Sequence, residues 1–247
     1  MNIGLYIIGD EILSGRRQDR HLNAVVELLQ ARGLRLSWVA VLGDELELLE
    51  RNFRDSVHRR EFVLSAGGIG GTPDDLTRTA MANALGVELV QHPDALPILQ
   101  RKFGDRLTLE RLRMIEFPAG SELIPNPVNE IPGFSISAHH FVPGFPDMAQ
   151  AMIAWVLDHV LPQDMQTGLI ERAVDVVDCP ESRLIPVMEE ILKNFPGIKL
   201  FSLPDSSLSR RSVELGVRGL PAEAEQAFAV MKVLLESNGI KWQKPGS

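Results

Sequence analysis

At 247 residues, with 45% hydrophobic and 23% charged side chains, the chain has the composition of a globular protein able to fill a core. A formal net charge of −8 and a pI near 5.3 speak against a basic nucleic-acid footprint and against adhesion to anionic membranes. The single cysteine, Cys179, excludes an internal disulfide and a cysteine-rich zinc site, and no apolar run approaches the ~20 residues of a membrane helix.

The opening run from Met1 to Ile8 is apolar but short, has no basic stretch before it, and meets Asp10 and Glu11 at once. It reads as a buried first strand and not as a signal peptide, so a soluble, cytoplasmic protein is expected. Residues 18–32 then place Leu22, Val25, Val26, Leu28 and Leu29 on one helical stripe that Gly33 ends. A second strand covers 35–42, and a helix over 45–60 spaces Leu46, Leu49, Phe53 and Val57 at three and four residues. A third strand, 61–66, runs into a glycine-rich turn, followed by a helix from about Pro73 to Leu85 closed by Gly86. Residues 88–133 hold a helical piece near 94–103 and then a stretch punctuated by Pro118, Pro125, Pro127 and Pro132. A strand over 134–142 leads through Pro143-Gly144-Phe145-Pro146 into a helix over 147–160. Alternating strands and helices predict an α/β domain over 1–163, a three-layer α/β/α arrangement around a mainly parallel sheet.

Leu161-Pro162-Gln163-Asp164 reads as the linker, after which the pattern changes. Strand 170–177, helix 181–195, strands 198–203 and 212–218, and helix 221–238 follow, the last strand turning Val213, Leu215 and Val217 inward. This βαββα order predicts a second, smaller α+β domain over 168–247.

Three strand-to-helix loops of the first domain join glycine to an acidic doublet: Gly9-Asp10-Glu11, Gly43-Asp44-Glu45, and Gly67-Gly68-Ile69-Gly70-Gly71-Thr72-Pro73-Asp74-Asp75. In a parallel sheet such loops emerge at the carboxyl edge, where ligands bind. Glycines let backbone N–H groups approach a phosphate, but Asp74 and Asp75, read in the first helical turn, would repel a bare one. A phosphate bridged by Mg²⁺ fits better, because that ion binds through one or two carboxylates plus substrate oxygens. Each loop also has a plain reading. Asp44 with Glu47 forms a D-x-x-E capping box, and Thr72 with Asp75 a similar cap with Pro73 at the first helical position. Asp10, directly behind a buried strand with no obvious helix after it, reads more readily as a site residue.

Other chemistries find little support. No lysine follows the glycines, which excludes a Walker loop, and Pro73 stands where a dinucleotide fingerprint needs glycine. His139 and His140 are adjacent on a strand and point to opposite faces, one expected packed and the other exposed. Cys179 before Pro180 reads as structural, and Ser206, Ser207 and Ser209 lack a nearby base. Only Arg210-Arg211 stand together as a basic pair in the second domain.

Four motifs in order now carry a resemblance. Gly67 to Thr77 resembles the G-G-x-G-x-T-x-D-D-x-T signature of MoaB/Mog-type molybdopterin-binding domains in its CinA version. Gly9-Asp10-Glu11-Ile12-Leu13-Ser14-Gly15 resembles that family's G-D-E-[LI]-L-x-G opening. Ile124-Pro125-Asn126-Pro127 with Ile131-Pro132-Gly133-Phe134 resembles its L-P-N-P…A-P-G-F stretch, and Pro143-Gly144-Phe145-Pro146 its P-G-[VF]-P loop. Gly71 departs from the usual proline, and Arg16 to Asn23 departs from the usual …T-N spacing, leaving open whether His21 or Asn23 stands at the family asparagine.

The resemblance implies a ligand such as molybdopterin or an adenylylated relative. Gly67, Gly68, Gly70, Gly71 and Thr72 would wrap its phosphate, with Pro143 and Gly144 beside them. It implies Asp75 as the metal-linked aspartate and Asp44 as a second acid; the three acidic loops at one sheet edge would let Asp10 or Asp44 help Asp75 hold Mg²⁺ or another divalent ion. CinA-type relatives are linked to metal-dependent cleavage of ADP-ribose-like pyrophosphates, and relatives of this fold form homo-oligomers. A short form without the amidohydrolase domain of full-length CinA is expected, so nicotinamide-nucleotide deamidation is not. Two functions stay open: metal-dependent hydrolysis of a nucleotide-type pyrophosphate through Asp75, Asp44 and Asp10, or non-catalytic binding of a phosphorylated pterin or nucleotide.

Overall fold

A computed structural model describes residues 2–161, 169–204 and 212–245. The chain divides into two compact units, residues 1–165 and 166–247. Positions 162–164 of the expected linker, the serines at 206, 207 and 209, and Arg210-Arg211 lie outside the described residues. Among the described residues, no helix is long and apolar enough to cross a membrane.

The first unit is built on strands β1 (Ile3–Ile8), β2 (Trp38–Leu42), β3 (Phe62–Ala66), β6 (Glu122–Ile124), β7 (Gly133–Ile136) and β8 (His139–Val142). They form one sheet in the order β2-β1-β3-β8-β7-β6. The first four run parallel, and β7 and β6 pair antiparallel. Between these strands run helices α1 (Asp10–Leu13), α2 (His21–Gln30), α3 (Leu46–His58), α4 (Thr77–Leu85), α5 (Leu96–Phe103), α6 (Leu109–Leu112) and α7 (Pro146–His159), with a small β4 (Leu89–Gln91) and β5 (Glu116–Pro118) pair. Alternation along β1 divides its side chains between two cores. Ile3, Leu5 and Ile7 pack with Val25 and Leu29 of α2 and Met152, Ile153 and Val156 of α7. Tyr6 and Ile8 pack with Leu49 and Phe53 of α3 and Met81 of α4. A period of two in the strands thus meets a period near 3.6 in the helices on both faces, giving three layers. Arg32 ties α2 to α7 through Asp158 at 2.7 Å.

Several boundaries differ from the sequence reading. The strand expected over 134–142 is a hairpin, because Ser137 and Ala138 both take positive φ, 50° and 59°. That turn normally selects Asn and Gly, so the residues gave no signal. His139 and His140 are both buried, correcting the expected exposed partner. Helices cover both faces of the sheet, so a side chain on either face is enclosed. His139 pairs through Nε2 with Ser56 Oγ at 2.8 Å, and His140 through Nδ1 with Ser135 Oγ at 2.8 Å.

The second unit is a four-stranded antiparallel sheet in the order β10-β11-β9-β12, from β9 (Ile170–Val177), β10 (Lys199–Pro204), β11 (Ser212–Gly219) and β12 (Trp242–Gln243). Helices α8 (Ile185–Asn194) and α9 (Pro221–Ser237) pack Val187, Ile191, Ala227 and Met231 against Val174, Val213, Leu215 and Val217. The short β12 adds a strand to the expected βαββα order; two paired residues are too few to leave a periodic signal. Cys179 is buried in this core.

Candidate functional site

Chain order and sheet order together define the site. From β1 the chain crosses to β2 on one side and then to β3 on the other, so connections diverge between β1 and β3. Ligands of open α/β sheets bind at such a switch point, beyond the carboxyl ends of the strands. The four parallel strands end at Ile8, Leu42, Ala66 and Val142, and each passes directly into one of the glycine loops. Gly9 N donates to Leu42 O at 3.0 Å and Gly67 N to Val142 O at 3.0 Å, which binds these loops into one edge.

Between them opens a hollow of about 180 Å³, whose lining includes Gly9, Asp44, Gly67, Gly68, Asp75 and Gly144. Glycine is required at its base. A Cβ on Gly67, at φ +111°, would stand 2.0 Å from Ile8 O, and one on Gly68, at φ +67°, would stand 2.2 Å from Thr77 Oγ1. Thr77 in turn fastens the loop, donating from Oγ1 to Gly67 O at 3.1 Å and from N to Gly68 O at 3.1 Å. Gly67 spends its own N–H on Val142, so it admits a ligand by close approach and not as a donor.

The acidic residues are arranged differently from simple caps. Asp44 Oδ2 accepts from Asp10 N at 3.0 Å, and Asp10 Oδ1 accepts from Asp44 N at 3.3 Å. The D-x-x-E capping box is therefore corrected: α3 has no side-chain cap, and Asp44 serves the start of α1, the short helix absent from the sequence reading. Asp10 does not itself line the hollow; it holds Asp44 in place. Helix α4 begins at Thr77, so Asp74 and Asp75 precede it and lie outside its first turn. Thr72 donates to Asp75 Oδ2 from N at 2.9 Å and from Oγ1 at 2.5 Å, with the carboxylate as acceptor where the sequence suggested a cap by Thr72. This local closure competes with helix and delays its start.

Gly70 and Pro143 line an adjoining apolar cleft of about 100 Å³ with Ile69, Met114, Phe145 and Met148. Gly71 lies against α6, where a Cβ would stand 2.8 Å from Glu110 O, and Thr72 acts through Asp75. Glu11 and Asp74, read from sequence as members of the acidic doublets, line the hollow, as does Arg17; Arg17 and Arg78, which props the loop, were not singled out as site residues. The buried Arg78 guanidinium donates to Gly70 O at 2.5 Å. Burial lowers its pKa, opposed by the carboxylates of Asp75 and Glu116. An arginine inside a helical pattern looks like a surface residue, so it left no signal.

The hollow is electronegative. Burial raises the Asp44 carboxyl above the ordinary carboxylate range; the Asp10 N–H opposes this, and the carboxylates of Asp10, Glu11 and Asp74 add to the rise. Among the described residues, no three His, Cys, Asp or Glu side chains converge as a ready metal cage. The donors present are hard carboxylate oxygens, Glu11, Asp44, Asp74 and Asp75, around one space. That set suits an ion needing one or two protein carboxylates and ligand oxygens for the rest, and not a dedicated protein cage.

Comparison with known proteins agrees with this architecture. A family model described as "Probable molybdopterin binding domain" matches residues 4–163. A protein of Pyrobaculum aerophilum is 33% identical over 194 residues, 75% of this chain and 73% of its own length. A CinA-like protein of Anaeromyxobacter dehalogenans is 27% identical over 92% of this chain and 61% of that protein. The crystal structure of CinA from Thermoplasma acidophilum, described as of unknown function, superposes with a TM-score of 0.60 at 28% identity, covering 66% of this chain and 100% of that one.

Proposed function

We propose, from the premise that this chain belongs to the molybdopterin-binding domain family and is CinA-like, that its first unit binds a phosphorylated pterin or nucleotide-type ligand together with a divalent cation. The observation that carries the reading is the gathering of Asp44, Asp75 and the bare backbone of Gly67 and Gly68 around one hollow at the switch point. Asp44 and Asp75 would hold Mg²⁺, with Asp10 orienting Asp44 through the paired N–H bonds. When bound, the ion supplies charge neutralisation between carboxylates and phosphate. The chain supplies the rest. Gly67 and Gly68 let a phosphoryl group approach the loop closely, Thr77 and Arg78 fix that loop, and Thr72 fixes the Asp75 carboxylate.

The reaction best suited to this arrangement is hydrolysis of an ADP-ribose-like pyrophosphate. Water adds to one phosphorus, the bridging P–O bond breaks, and AMP and ribose 5-phosphate leave. Turnover of ADP-ribose with Mg²⁺ is expected in the wild type, and a loss of about 100-fold or more in Asp75→Asn, whose amide oxygen still accepts from Thr72. A wild type that binds ADP-ribose but returns it unchanged would replace the enzyme with the second reading, a non-catalytic carrier.

A further inference from the structure

The six-stranded sheet of the first unit has two edges, β2 and β6, and they are built differently. An edge strand offers unpaired N–H and C=O groups to any strand that meets it, and proteins blunt such edges with charge, proline, bulges or very short strands. Edge β6 is blunted: it has three residues, exposed Glu122 is one of them, and Pro125 and Pro127 follow closely. Edge β2 carries none of these devices. It runs Trp38-Val39-Ala40-Val41-Leu42 without a charge or a proline, and its register on β1 is unbroken. Val39 and Val41 stand opposite Leu5 and Ile7, on the face that α2 and α7 cover, yet they are 41% and 39% exposed. Leu13, which reaches Gly43 just past the strand, is 57% exposed. Leu42 O is turned inward, accepting from Gly9 N. Main-chain groups alternate in direction along a strand, so the outward N–H and C=O groups of β2 are those of Val39 and Val41.

The edge is also self-complementary. Read outward from Ala40, β2 is nearly the same in both directions: Val39 mirrors Val41, and Trp38 mirrors Leu42. At equal distances beyond them stand Arg35 and Glu45, both exposed and of opposite charge. We propose that β2 pairs antiparallel with β2 of a second copy of this chain, about a two-fold axis through Ala40, so that the two sheets become one. Val39 of each copy then exchanges both main-chain hydrogen bonds with Val41 of the other. The four valines form one apolar strip with Leu13 at each end, and Arg35 of each copy meets Glu45 of the other. A two-fold contact requires one patch to fit itself, a condition that the mirrored valines and the equidistant opposite charges meet. An unrelated strand would need neither. The proposal is independent of the ligand reading.

The test is the mass of the whole chain in solution, from sedimentation velocity over a concentration series. The wild type is expected to reach twice the 27.4 kDa of one chain. Val41→Lys, which puts a charge on the strip at an exposed position, is expected to keep the single mass at concentrations where the wild type is paired. If Val41→Lys fails to fold, Val39→Lys makes the same comparison. Glu45→Arg sets Arg35 of each copy against a second arginine, twice in each pair. It is expected to weaken self-association about ten-fold, and Arg35→Glu combined with Glu45→Arg is expected to restore it. Circular dichroism of each variant certifies the fold. A wild type of single mass at every concentration overturns the proposal. So does a pair that survives Val41→Lys, because it forms through another face. Pairing lost in Glu45→Arg and not regained in the double variant overturns the antiparallel register about Ala40.

Discussion

Gly67→Ala is expected to destabilise the first unit by about 3 kcal/mol or more and to abolish ligand binding. The added Cβ would lie 2.0 Å from Ile8 O, a backbone atom of β1, which is hydrogen-bonded between β2 and β3 and has no room to yield. Two costs combine: a non-glycine residue at φ +111°, worth ~1–3 kcal/mol, and overpacking against fixed backbone, worth ~1–3 kcal/mol. Gly86→Ala is the control. Gly86 also has positive φ, +68°, but nothing lies within 4 Å of its Cβ position, so only the left-handed penalty of ~1–2 kcal/mol applies. Urea denaturation of both variants measures the difference. Equal destabilisation would mean that the β1–β3 edge is looser than the packing of Gly67 against Ile8 requires.

The second large effect is a loss of stability on acidification. Burial, with the adjacent His139 adding to it, pushes the His140 pKa down to about 3. Burial also lowers the pKa of His139, against the opposing pull of the Ser137 carbonyl and Glu61. Both are therefore neutral in the folded chain, while in the unfolded chain each titrates near 6.5. Between about pH 6.5 and 3 the unfolded state binds the extra proton, so this contribution is complete above 6.5 and shrinks as pH falls toward 3. At 1.36 kcal/mol per pKa unit, protonation of the unfolded chain at His140 alone removes on the order of 5 kcal/mol by pH 3, a large share of a domain's usual margin. Urea unfolding followed from pH 7 to pH 4 is expected to show a falling midpoint, and His140→Phe a shallower fall. A wild-type midpoint that holds steady across this range would contradict the enclosure of His140.

Legibility followed the length of the pattern. Strands β1 and β3 and helices α2, α3 and α7 are long and periodic, with both faces of the sheet covered, and their sequences declare this. Short pieces left little trace: the Ser137-Ala138 turn lacks the usual residues, and β12 is two residues long. At the site, the loops that line the hollow are visible as glycine beside acid, because close backbone approach and clustered carboxylates leave a compositional mark. The partner of Asp44, and the direction of the Thr72–Asp75 bond, are not visible. Asp44 and Thr72 both sit in spacings that mimic a local cap, yet Asp44 bonds Asp10 thirty-four positions away and Thr72 bonds Asp75 as donor. Spacing along a chain cannot show a bond between loops. Arg78 belongs to the same class, because burial makes it informative and burial is a property of the fold.

The deciding measurement is calorimetric titration of ADP-ribose into wild type and Asp44→Asn, each with Mg²⁺ and with a chelator. Carboxylates from separate turns that share one cation with a bound phosphate predict at least ten-fold tighter binding with Mg²⁺ in the wild type, and most of that gain lost in Asp44→Asn. Affinity indifferent to Mg²⁺, or a gain that survives the loss of the Asp44 charge, would contradict it.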